Sequence, residues 1–255
     1  MKKMLVFIVA FAFLPLHTFA WGEKGHRIVA EIAFKNLDRK TRKIILQYLD
    51  GMSIEEAANW MDAIKKDHSY DHLKPWHYVN FEKNERVKDT CCDNIIYRLS
   101  QTIETLKKYP TLPKATVKME LCYLFHLMGD LHQPLHVGYG SDKGGNSIHL
   151  KYLDKKMDLH GLFDYGIIEA QNIKLKHCLK YHVYTKDDIE KMNKGSVLDW
   201  AKESRSHLTQ IYSLNGNAPS EAYITTNEGL IKQQLQVAGI RLAELLKTIF
   251  SQEPK

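Results

Sequence analysis

The chain opens on an unbroken apolar block and then settles into helical spacing. Leu5 to Leu14 is wholly apolar and follows Lys2 and Lys3. From residue 26 onward, apolar positions recur every three to four residues in several segments, the period of an amphipathic helix. Segment 26–49 shows it with a break at Asn36–Asp38, and ANWMDAIKK (58–66) shows it after a loop at Gly51–Ser53. Over 95–108 the stripe is Ile96, Leu99, Ile103 and Leu106, closed by Pro110 and Pro113. MELCYLFHLMGDLHQ (119–133) reads as helix until Pro134, and 228–250 carries Leu235, Ala238, Leu242 and Leu245 on one face. Only NSIHLKYL (146–153) alternates, so it predicts half of a small hairpin with the following KKMDL. No internal repeat or linker interrupts the pattern. The expectation is one mainly α, compact helical domain over 21–255, with at most a small β-hairpin.

The apolar block changes the picture of the N-terminus. Two lysines, a ten-residue apolar run, and small residues Thr18 and Ala20 at −3 and −1 describe a signal peptide, residues 1–20, cleaved before Trp21. A retained anchor is the alternative, but the run is shorter than the roughly 20 residues that span a bilayer. The mature chain is expected to be exported, periplasmic or secreted, without a membrane anchor. Losing Lys2 and Lys3 lowers the formal charge from +6 to +4, a mild basicity compatible with polyanionic ligands. Cys91, Cys92, Cys122 and Cys178 show no repeated CxxC spacing, so disulfides of undetermined pairing are expected rather than a cysteine-ligated metal.

Candidate chemistry lies in the histidines and aspartates. His126 and Asp130 stand at i and i+4 in an apolar helix, which sets their side chains about 6 Å apart on one face. A buried carboxylate beside an imidazole is costly unless a proton or cation satisfies it. His160 and Asp164 repeat the spacing. His136 lies just past the helix end, and His77, Asp62 and His26 add two imidazoles and a carboxylate. Nitrogen with carboxylate oxygen and no thiolate suits hydrolytic zinc. Five histidines and three aspartates exceed one tetrahedral ion, so a multinuclear site is implied.

In chain order, WGxxGHxxVAxIA (Trp21–Ala33), NWMDxI, WHYVN, FHxMGDxHQPLHV, DxGGN and DLHxxFD resemble the trinuclear-zinc single-strand nucleases of the S1/P1 nuclease family, as a bacterial member. The resemblance covers nearly all of the mature chain, including DWAKES and AGIRLAELL. It implies the helical fold shared with zinc-dependent phospholipase C, and three zinc ions. Asp62, His77, His126 and Asp130 would hold the first ion of a close pair. His26, bridging Asp130, and the α-amine and carbonyl of Trp21 would hold the second. His136, His160 and Asp164 would hold the third. Asp62 and Asp130 are thereby catalytic candidates along with Lys65, which occupies the place of a phosphate-contacting basic residue. Tyr78 and Asn80 stand at base-binding positions, with Tyr78 keeping a stacking face and Asn80 replacing a carboxylate. Asp158 and Phe163 depart from the family's Asn and Trp.

The activity implied is zinc-dependent endonuclease hydrolysis of single-stranded DNA and RNA to 5′-phosphate ends, with 3′-nucleotidase activity, by a monomer. The alternatives are a zinc-dependent phospholipase C and a non-catalytic exported zinc-binding protein. His68, His72, His132, His149, His177, His182 and His207 match no ligand position and are read as surface or hydrogen-bonded residues.

Overall fold

Short polar side chains decide where the helices begin. Asp38 accepts the Thr41 N–H at 2.9 Å, so α1 (Glu23–Lys35) and α2 (Arg39–Leu49) part at the predicted break. Ser53 and Glu56 form a reciprocal capping box that starts α3 (Ile54–Ala63) ahead of the expected residue 58. The chain then runs through 3₁₀ turns at Ile64–Lys66 and His68–His77. Asn94 caps α4 (Ile95–Leu106), whose predicted stripe Ile96, Leu99, Ile103 and Leu106 is buried. α5 (Lys114–Leu131) begins directly after Pro113, earlier than expected, and is followed by a 3₁₀ turn at Pro134–Val137. The computed structural model describes residues 21–251, so the expected signal peptide lies outside the described residues.

The hairpin is present as β1 (His149–Tyr152) and β2 (Lys155–Asp158), antiparallel, with Leu150 opposite Met157 on the buried face. It leads into α6 (Leu159–Gly161), a π-helical turn at Leu162–Gly166, and α7 (Ile167–Ala170). The helices α8 (Leu175–Leu179), α9 (Lys186–Asn193), α10 (Val197–Ser206) and α11 (Leu208–Ile211) follow. Ser220 caps α12 (Glu221–Phe250), a 30-residue helix.

Three helices make the centre. From Leu124 to Leu131, α5 is buried at every position, the mark of a helix enclosed on all sides. Against α1, α12 packs so closely that a Cβ on Gly239 would lie 2.5 Å from Ile32 Cβ. Arg241, buried on α12, donates to His132 Nε2 at 2.9 Å and to Glu203 at 2.5 Å, tying the end of α5 to α10. His132 is therefore an interior residue, while His68, His72, His149 and His182 are exposed. No helix among the described residues is long and apolar enough to cross a membrane.

The expected disulfides are not formed. All four cysteines are free. Cys122 is buried with its thiol 3.6 Å from Met52 Sδ, Cys178 is buried, and Cys91 and Cys92 are exposed. Burial holds the thiols of Cys122 and Cys178 at about 12. An oxidising compartment permits a disulfide but does not by itself select a pair; that takes two sulfurs in bonding geometry.

Candidate metal centre

Four segments converge on one buried set of imidazoles and carboxylates. Helix α1 supplies His26, α3 Asp62, the 3₁₀ turn after it His77, and α5 both His126 and Asp130. Among the described residues, three groups place ligand atoms within 4.8 Å of one another: His26, Asp62 and His126; His77, His126 and Asp130; and His136, His160 and Asp164. All eight residues are buried. The i, i+4 argument from sequence is met at both pairs, His126 Nε2 to Asp130 Oδ2 and His160 Nε2 to Asp164 Oδ2, each at 3.2 Å. The second pair meets through a π-helical turn, a local form frequent at functional sites.

Backbone carbonyls settle which ring nitrogens point inward. Nδ1 of His126, His136 and His160 lies 2.7 Å from the carbonyl oxygens of Ala58, His77 and Gly144 respectively. A carbonyl only accepts, so each Nδ1 carries a hydrogen and each Nε2 is the nitrogen turned toward the cluster. Those carbonyls are functional groups that the sequence pattern does not reveal. The Gly pair of DKGGN is its one visible trace: Lys143, Gly144 and Gly145 all have positive φ, and a Cβ on Gly144 would strike the Leu135 carbonyl.

The donor set fits a cation. His26 Nδ1 and Nε2, His77 Nε2, His136 Nε2, Asp62 Oδ2, Asp130 Oδ1 and Asp164 Oδ2 are buried with no hydrogen-bond partner. His26 Nε2 faces Asp130 Oδ1 at 3.2 Å, and His77 Nδ1 lies 2.9 Å from Asp130 Oδ2 and 3.0 Å from His126 Nε2. Lone pairs facing carboxylate oxygens repel unless a proton or metal lies between them. Nitrogen and oxygen donors without sulfur suit zinc.

The proton affinities are correspondingly pulled apart. Burial, with Lys65 nearby, brings His77 down to about 4, while burial and the His126 ring lower His26. Burial opposes charge on His126 too, but Asp130 and Asp62 outweigh it and raise the ring. Asp130 is held well below the usual carboxylate range, its burial overcome by His126 and His136. Asp164 raises His160 to about 9 against the effect of burial, and His160 in turn holds Asp164 at about 2.

The remaining expected site residues lie around this cluster. Trp21 is fully buried, its indole N–H donating to the Gly129 carbonyl at 2.7 Å beside His26. Lys65 Nζ is 2.5 Å from Asp62 Oδ1 and its side chain is 26% exposed, so it can reach both ligand and solvent. Tyr78 is 46% exposed, while Asn80 is half-buried beside Gly138 and Gly144. Arg205, next to DWAKES, fixes this rim. Its guanidinium donates to the carbonyls of Phe81, Glu82, Val137 and Gly138, clamping the backbone just after Asn80 to the backbone just after His136. Asp158 accepts the Gly161 N–H and caps α6, and Phe163 is core.

The family model described as S1/P1 Nuclease matches residues 21–251. The chain is 27% identical to "Endonuclease 2" of Arabidopsis thaliana over 97% of this chain and 96% of that protein. It is 25% identical to "Nuclease S1" of Aspergillus oryzae over 99% of each. Among solved structures, "Alpha Toxin from Clostridium Absonum" aligns with a TM-score of 0.54 at 14% identity, covering 91% of this chain and 66% of that one. At that identity the likeness is one of fold.

Proposed function

The chain belongs to the S1/P1 nuclease family, and from that premise we propose that it is an exported zinc-dependent endonuclease of single-stranded DNA and RNA, with 3′-nucleotidase activity. The observation that carries this reading is the convergence of partnerless imidazole nitrogens and carboxylate oxygens in a buried cluster. Its relatives are endonucleases, so a nucleic-acid phosphodiester is the substrate to which such a centre is matched.

Three zinc ions are proposed. His77, His126, Asp62 and Asp130 would hold one. His26, Asp130 and the Trp21 amine and carbonyl would hold a second, and His136, His160 and Asp164 a third. Bound zinc supplies a water acidic enough to be deprotonated near neutral pH and positive charge for phosphate oxygens. The chain's own groups do the rest. Lys65 offers a mobile ammonium to the phosphate. Tyr78 presents a stacking face, worth about 1–3 kcal/mol per base, to a base free of its duplex. Asn80 offers an amide, not a charge, to that base. The Nδ1 hydrogens of His126, His136 and His160, held by backbone carbonyls, fix the rings so that Nε2 is aimed inward as the ligand atom. Cleavage after Ala20 would free the Trp21 amine.

The mature protein should be assayed on single-stranded DNA, a 3′-nucleotide and phosphatidylcholine, each with and without chelator. Chelator-sensitive cleavage of the first two is expected. Lipid cleavage alone would overturn the proposal in favour of a phospholipase, and zinc binding without turnover in favour of a sequestering protein.

A further inference from the structure

Asp164 is gripped from one side only. Its Oδ1 accepts the side-chain N–H of Gln133 at 2.6 Å, whereas Oδ2 is buried and has no hydrogen-bond partner. Oδ2 is the oxygen that faces His160 Nε2 at 3.2 Å. Gln133 itself is fully buried. Its orientation is forced, because its Oε1 accepts the Leu135 N–H at 2.7 Å, leaving the NH₂ end for Asp164. The backbone of Gln133 is tethered as well, its N–H donating to the Asp130 carbonyl at 3.0 Å. Gln133 therefore stands three residues after Asp130 and three before His136, with both ends of its amide committed.

We propose that Gln133 is a positioning residue for the third metal: by holding Asp164 Oδ1, which also lies 3.8 Å from His136 Nε2, it fixes the carboxylate so that the unpartnered Oδ2 faces His160. This rests on the zinc reading above. A free carboxylate can turn or bind through both oxygens, whereas one anchored through Oδ1 presents a single donor at a fixed angle. Partners of this kind behind a metal ligand are worth about 10–100-fold in metal affinity. A purely structural role is the competing account, since the same side chain caps the 3₁₀ turn at Pro134–Val137 through Leu135.

Gln133→Glu separates the two accounts. Glu keeps an acceptor for the Leu135 N–H but replaces the donor with an oxygen facing Asp164. Gln133→Met removes both bonds at similar volume. Metal affinity is read by titrating metal-free protein with zinc and with cobalt(II), whose visible absorption reports the ligand field at each site. Positioning predicts that both variants bind two ions as wild type does and bind one about 10–100-fold more weakly, with its cobalt bands altered. The proposal is overturned if Glu matches wild type at every ion, or if both variants weaken all ions equally while the metal-free protein loses thermal stability. Asp164→Asn serves as the control. If it leaves the wild-type stoichiometry unchanged, then no ion sits at Asp164, and the zinc reading fails rather than the role of Gln133 alone.

Discussion

At the scale of single residues, His160 and Asp164 make the clearest prediction. In the metal-free protein His160 is raised to about 9 from an ordinary 6.5, so its pairing stabilises fully below 6.5 and is lost as pH rises through 9. Asp164, lowered to about 2 from 3.8, contributes above 3.8 and is lost as pH falls through 2. Zinc must displace the His160 proton. Metal uptake should therefore release protons at pH 7, and fewer as pH rises through 9. Calorimetric titration in buffers of different ionisation enthalpy measures that number, and a count unchanged from pH 7 to 10 would contradict the pairing. Trp21 gives a second residue-scale prediction. An extra Ala between Ala20 and Trp21, with cleavage kept after Ala20, should lower zinc content and activity together. Full activity, with the N-terminus verified by sequencing, would remove the Trp21 amine from the ligand set.

At the scale of elements, two glycines separate site from scaffold. Gly129 lets α5 pass α1, since a Cβ there would lie 2.6 Å from His26 Nδ1. Gly129→Ala should displace the His26 ring, which stacks on His126 with centroids 4.0 Å apart, and so reduce bound zinc and activity in protein that still folds. Gly239→Ala crowds Ile32 and the Val29 carbonyl instead. It should cost about 1–3 kcal/mol of stability, the usual penalty of overpacking, with zinc per folded molecule unchanged. Metal analysis and thermal melting of both variants check the contrast; equal zinc loss in both would refute it. Helix type was legible in the apolar spacing, as the buried stripe of α4 shows. Helices α3, α5 and α12 start earlier than their apolar period indicates, because capping by Ser53 and Ser220, and the position of Pro113, decide where a helix begins.

At the scale of the whole molecule, the candidate centre joins helices that are far apart in sequence. Residues from α1, α3 and α5 form two groups that share His126, and His136 meets the chain after the hairpin in a third. A ligand bound only by the folded state stabilises by mass action, about 4 kcal/mol at a thousandfold excess over its dissociation constant. Chelation should thus lower the melting temperature, and added zinc should raise it with the logarithm of free zinc. A melting temperature indifferent to both would show that the buried carboxylates are satisfied without metal.

The sequence by itself determined the helical class, the small hairpin, and the two His–Asp pairs, because periodicity and i, i+4 spacing are local properties of a chain. It also carried the family, whose motifs are short and ordered along it. Only the tertiary structure decided which ring nitrogen of His126, His136 and His160 faces inward, that Asp158 caps a helix, and that Arg205 clamps the rim. The ring orientations and the clamp depend on carbonyls and a guanidinium brought into reach by packing between distant segments, and residue spacing carries no record of that distance.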